Sequence, residues 1–190
     1  MDEPVVSLEH GCPFCHIAKT FPTYNPTVPP HASHPSISPA STEPQPAAFV
    51  ILSTPIVVAF LDILPLSRGH VLLCPRKHRQ KLTEVSAEES AQLGYWLRIL
   101  SAAISKATGV HDWNVVQNNG AAAAQVVPHC HFHIIPRPEL REQGRWSSQF
   151  TMFGRGQRAE LDDDEAVEVA AKIRTAVAEV LKDESSQPNL

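Results

Sequence analysis

The stretch Val127-Pro128-His129-Cys130-His131-Phe132-His133-Ile134-Ile135-Pro136-Arg137 constrains this chain most: three histidines alternate with Cys130, Phe132 and Ile134 between two prolines. Alternation with period two is the pattern of a strand that has one face in a core and the other accessible. It predicts that the three imidazoles share the accessible face, consecutive ones roughly 6.5–7 Å apart at a rise of ~3.3 Å per residue. A lone strand histidine is usually a satisfied polar residue, but three at i, i+2 and i+4 are hard to explain that way. Two chemistries fit. Neutral imidazoles could hold a metal such as zinc, or one histidine could be a nucleophile whose neighbours handle charge and protons.

The segments upstream supply partners for such a strand. Residues 55–61 and 69–75 are β-rich runs joined by a connection that holds Pro65 and ends at Gly69, which predicts a hairpin. Ser86-Ala87-Glu88-Glu89 has the form of a capping box, and Leu93, Trp96, Leu97, Leu100, Ala103 and Ile104 then recur at helical spacing until Gly109. Residues 113–117 read as a third strand, ended by Asn118-Asn119-Gly120, and an alanine-rich connection leads to the histidines. The expected sheet is antiparallel. A second helix is expected from Asp162, with Asp163, Asp164 and Glu165 at its positive end and Val167, Ala170, Ile173, Val177 and Leu181 on one stripe.

With 190 residues, 43% of them hydrophobic and 19% charged, the chain fits one domain with a sizeable core. We divide it into an N-terminal segment (1–20), a loop or disordered insertion rich in proline, serine and threonine (21–48), a core (49–140) and a C-terminal loop and helix (141–190). A net charge of −4 argues against a nucleic-acid polymer as partner. No apolar run reaches the ~18 residues that span a bilayer, and the acidic start lacks the pattern of a secretory peptide. The expectation is a cytoplasmic or nuclear protein without a membrane partner.

Cys74 and Cys130 fall in apolar runs and read as buried core residues. Cys12-Pro13-Phe14-Cys15 differs, because such a pair in a reducing compartment binds metal or does redox chemistry. Only one such pair is present, so a zinc site would draw two further ligands from the histidines. His31 and His34, in the proline-rich stretch, read as solvated loop residues. Arg155 and Arg158 could meet phosphate, though a solvated loop is the commoner meaning of a stretch such as Gly154–Arg158.

These residues together resemble the histidine triad (HIT) family of nucleotide hydrolases and transferases. The triad from His129 to Ile135 carries the resemblance, supported by Asp62 and His70, by Asn118 before the glycine turn, by Gln125, and by the Cys-x-x-Cys start. It implies an α+β HIT-like fold: a five-stranded antiparallel sheet with two main helices, continued across a homodimer as ten strands. It implies that His131 attacks the α-phosphorus of an adenosine nucleotide and that Asp62 binds the ribose hydroxyls. Asn118 and Gln125 would hold phosphate and leaving-group oxygens, His133 would donate to a nonbridging oxygen, His70 would orient the nucleophile, and His129 would support the strand or bind zinc. The expected zinc is structural, held by Cys12, Cys15, His78 and His129, because four protein ligands leave no position for water. No organic cofactor is implied.

Ala124 and Val126 depart from the family's usual glycine and serine or threonine around the glutamine. The leaving group therefore stays open between the phosphoramidates of the Hint-like branch and the dinucleoside polyphosphates of the Fhit-like branch. Two other classes are alternatives: a histidine–metal hydrolase, which would lose activity on chelation and form no covalent adduct, and a nucleotide-binding regulator with little turnover.

Overall fold

A computed structural model describes residues 11–38, 48–138 and 161–186. Its elements, in chain order, are α1 (Pro13–Thr20), β1 (Val50–Ser53), β2 (Val57–Leu61), β3 (Val71–Pro75), α2 (Ala87–Thr108), β4 (Trp113–Gln117), β5 (Phe132–Pro136) and α3 (Asp163–Ser186). The five strands form one sheet, ordered β1-β2-β3-β5-β4, and every neighbouring pair is antiparallel. The expected hairpin is β2 and β3, in register from Val57↔Pro75 to Leu61↔Val71.

Alternation along these strands makes two cores. Ala59, Leu61, Val71, Leu73 and Ile134 face α2 and α3, while Val58, Phe60, Leu72 and Cys74 face α1. Strands β1, β2 and β3 are buried on both sides, under α2 and α3 on one and in part under α1 on the other, whereas β4 is largely exposed. Ser86 caps α2 with its hydroxyl on the Glu89 N–H, the Glu89 carboxylate returns to the Ser86 N–H, and Gly109 ends the helix at φ +70°. Among the described residues no helix is long and apolar enough to cross a membrane.

Three expectations needed correction. The histidine strand is shorter than its alternation implies: only His133 lies in β5, and His129 and His131 occupy the irregular run before it. Pro128 has no N–H, the His129 N–H turns back to the Val127 carbonyl, and the Cys130 N–H bonds the Arg79 carbonyl at 2.5 Å, so the backbone here is satisfied outside the ladder. The histidines consequently do not share a solvent face, since His129 and His131 are buried. On α3, Val167 is 44% exposed, and the packed stripe runs through Ala166, Val169, Ala170, Ile173 and Val177 instead.

The elements α1 and β1 were not recognised in the sequence. The described part of the proline-rich stretch, residues 21–38, has no helix or strand, yet it packs: Phe21 is fully buried and the Tyr24 hydroxyl donates to the Ile51 carbonyl. His31 and His34 are exposed and bond only to neighbouring serines through their rings. Arg155 and Arg158 lie outside the described residues.

Candidate functional site

At one end of β3 and β5 the three histidines go to three different tasks. His129 turns towards α1. Its Nδ1 lies 3.4 Å from Cys12 Sγ and 3.6 Å from Cys15 Sγ, while its Nε2 lies 2.9 Å from the Pro75 carbonyl. A carbonyl only accepts, so Nε2 carries the proton and Nδ1 presents its lone pair to the sulfurs. Burial, foremost, pushes the His129 pKa down to about 4, so the ring is neutral near pH 7. His78 completes the group, its Nδ1 3.3 Å from Cys15 Sγ and its buried Nε2 without a hydrogen-bond partner among the described residues.

The four ligand atoms lie within 4.8 Å of one another. Ligands at tetrahedral angles, with Zn–S ~2.3 Å and Zn–N ~2.0 Å, stand roughly 3.5 Å apart; the sulfur–nitrogen contacts of 3.3, 3.4 and 3.6 Å match that spacing. Two sulfurs, two nitrogens and a ligating imidazole anchored through its far nitrogen fit a structural zinc ion.

His131 faces the other way. Its Nδ1 lies 2.6 Å from the His129 carbonyl, so Nδ1 carries the proton and the lone pair belongs to Nε2. Burial, as the leading cause, lowers its pKa, which favours the neutral, nucleophilic ring. Phe14 stands edge-on to it, with centroids 5.1 Å apart and planes at 88°. His133 lies on its far side, 4.8 Å between centroids.

Behind His133 is a chain of bonds with one direction. The Leu66 N–H donates to His70 Nδ1 at 3.1 Å, so the proton of His70 resides on Nε2, which meets His133 Nδ1 at 3.0 Å. His133 Nδ1 therefore accepts, and Nε2 becomes its donor nitrogen. Asp62 Oδ2 is 3.5 Å from His70 Nδ1, but an ion pair there would need a proton on the atom that Leu66 already occupies, so the shorter contact decides. Asp62 Oδ1 accepts the Leu64 N–H at 2.9 Å and shapes the connection after β2. Asp62, His70 and His133 are themselves close enough to share an ion.

Asn118 leaves β4 directly after Gln117, which pairs with Phe132, and so lies at the same sheet end as His131. Gln125 is buried and closes its own loop: its Oε1 accepts the Gly120 N–H at 2.6 Å, and its Nε2 donates to the Gln80 carbonyl at 2.8 Å. The structure thus brings Cys12, Cys15, His78 and His129 into one group and Asp62, His70 and His133 into another, with His131 between His129 and His133, whereas His31 and His34 stay apart from both. Phe14, Arg76 and Arg79 were missed. Arg76 donates to Ser53 Oγ and to the Phe21 and Ala18 carbonyls at the exit of α1, and Arg79 offers the carbonyl that holds Cys130. Nothing in their spacing signals this, because their partners (the His131 ring, Ser53, the Ala18 and Phe21 carbonyls and the Cys130 N–H) are remote in sequence.

The comparisons agree with this geometry. Residues 43–140, more than half of the chain, match the HIT domain. An adenosine 5'-monophosphoramidase of Schizosaccharomyces pombe is 44% identical over 88 residues, which are 46% of this chain and 63% of that protein. An adenylylsulfatase of Arabidopsis thaliana is 36% identical over 132 residues, 70% of this chain and 64% of that protein. The chain thus spans less than two thirds of the length of either relative. The crystal structure of a zinc-bound histidine triad family protein from Mycobacterium smegmatis superposes with a TM-score of 0.60 at 22% identity, covering 94% of this chain and 99% of that one, a likeness of fold. Triad, sheet order and family match converge, and the chain belongs to the HIT domain family.

Proposed function

We propose that this protein hydrolyses adenosine nucleotides at the α-phosphate through a nucleotidyl-histidine intermediate on His131. The observation that carries the reading is the contact between His131 Nδ1 and the His129 carbonyl, which commits the lone pair to Nε2. In the first step Nε2 forms a bond to phosphorus, and the bond to the leaving group breaks with its electron pair staying on that group. In the second, water attacks phosphorus, the P–N bond breaks, and the nucleoside monophosphate leaves while the water's proton passes to solvent or to the departing imidazole. Covalent capture divides one difficult displacement into two.

The His133 Nε2–H donates to a nonbridging oxygen as negative charge spreads over the phosphoryl group, and the bond from His70 fixes that tautomer. Asp62 takes the ribose hydroxyls. Asn118 binds phosphate, and Gln125 acts chiefly by holding its loop. Zinc held by Cys12, Cys15, His78 and His129 would supply no reactive position; it ties α1 to the sheet. The names of the relatives, a phosphoramidase and an adenylylsulfatase, support a P–N or P–O bond to a small leaving group. The outer edge of β4, unpaired among the described residues and with Trp113 and Val115 each more than 40% exposed, suits the pairing of two copies in a homodimer.

The test is mass spectrometry of protein quenched during turnover under conditions that preserve phosphohistidine. A nucleotide-sized adduct on His131 supports the reading. A metal hydrolase centred on Asp62, His70 and His133 would show no adduct and would lose activity on chelation.

A further inference from the structure

Segment 76–82, Arg-Lys-His-Arg-Gln-Lys-Leu, carries four cations and no acid. It runs beside the nucleophile: the Arg79 carbonyl holds the Cys130 N–H, and the Leu82 N–H bonds Asn119 Oδ1 at 2.9 Å. Two of the cations are already committed, Arg76 to carbonyls and Ser53, and Arg79 to the buried Glu89 carboxylate at 2.9 Å. Lys81 is exposed and makes no ion pair among the described residues. The nearest acid along the segment, Glu84, has its Oε2 on the Gln80 N–H at 2.8 Å.

Lys81 lies over the loop that follows β4: a Cβ built on Gly120 would be 3.7 Å from its Cε and 3.9 Å from its Nζ. That loop starts beside His131, since Gln117 pairs with Phe132 and its amide lies 3.8 Å from Cys130 Sγ. Residues 118–128 contain no hydroxyl and no charge, and the Gln125 amide is already bonded on both sides. Lys77 is also exposed and makes no ion pair among the described residues, but it is the Lys81 ammonium that lies over this loop with bonding capacity to spare. In-line displacement drives the leaving group away from the nucleophile, towards the walls of the site.

We propose that Lys81 is a specificity-determining residue that favours anionic leaving groups, sulfate or phosphate, over neutral amines; this rests on the nucleotidyl-transfer reading above. As the P–O bond breaks, its electron pair stays on the departing oxygen, and the Lys81 ammonium donates a hydrogen bond to that growing charge while keeping its own protons. A departing amine takes up a proton from solvent as the P–N bond breaks and so leaves without such charge.

The experiment compares kcat/KM for adenosine 5'-phosphosulfate and adenosine 5'-phosphoramidate in the wild type, Lys81→Gln and Lys81→Arg, with thermal melts to confirm equal folding. Lys81→Gln should lower the rate on the phosphosulfate about three- to tenfold, as suits one exposed charge-assisted contact, and change the phosphoramidate less than about twofold. Lys81→Arg should restore the ratio, and about 0.5 M salt should erase the difference by screening. Equal losses on both substrates, or no change on either, would overturn the assignment. A wild type inert towards both would instead overturn the hydrolase reading and this one with it.

Discussion

His131 Nδ1 lies 2.6 Å from the backbone carbonyl oxygen of His129, while the ring of His129 points away to Cys12 and Cys15. One residue thereby faces the Cys12 and Cys15 sulfurs with its side chain and the His131 ring with its main chain. The cysteine–histidine group and the His131 ring are neighbours through this residue.

Alanine substitutions should separate the two roles. His131→Ala leaves the Cys12, Cys15, His78 and His129 ligands intact, so it should keep metal and fold while kcat falls by at least about 10³-fold. His129→Ala should lose metal affinity and activity together. Metal content and single-turnover rates on the same samples check both; metal retained in His129→Ala would contradict the ligand set.

Protein purified without chelators should carry about one zinc ion per chain. Cys15→Ser should lower the melting temperature and loosen α1, because the helix then keeps its apolar packing and the Arg76 bonds at its C-terminal end but loses one of the four ligands that would tie it to the sheet. Hydrogen exchange in the Pro13–Thr20 helix, compared with and without metal, is the measurement.

Glu89 joins the cap of α2 to Arg79 beside the histidine segment. Burial pushes its carboxyl pKa up, but the hydrogen bonds from Arg79 and Ser86 outweigh this and leave it below the usual value. Its contribution is therefore present above the unfolded pKa of ~4.3 and is lost as pH falls through the lower folded value. Glu89→Ala should cost about 2–3 kcal/mol at neutral pH. Urea titrations at pH 7 and pH 3 should show the difference between variant and wild type shrinking at the lower pH.

Val115 stands outward on the edge strand β4, 47% exposed. If two copies pair along this edge, Val115→Lys places a charge in each half of the seam and should shift the protein to monomer at micromolar concentration. Light scattering that finds the wild type monomeric as well would remove the homodimer.

The sequence by itself determined the elements whose signals are local. The capping box at Ser86 and the stop at Gly109 fixed α2, because those bonds close within three or four residues. Opposed apolar runs determined β2 and β3. Alternation also pointed to the triad as a site, yet it placed all three rings on one solvent face, and only the tertiary structure divided them. Period two presumes a continuous ladder, and the Cys130 N–H leaves that ladder for the Arg79 carbonyl, 51 positions earlier in the chain. The same holds for Phe14 against His131 and for Arg76 against the exit of α1. Their partners are distant in sequence and are met only when α1 closes over the sheet, so no local spacing could encode them.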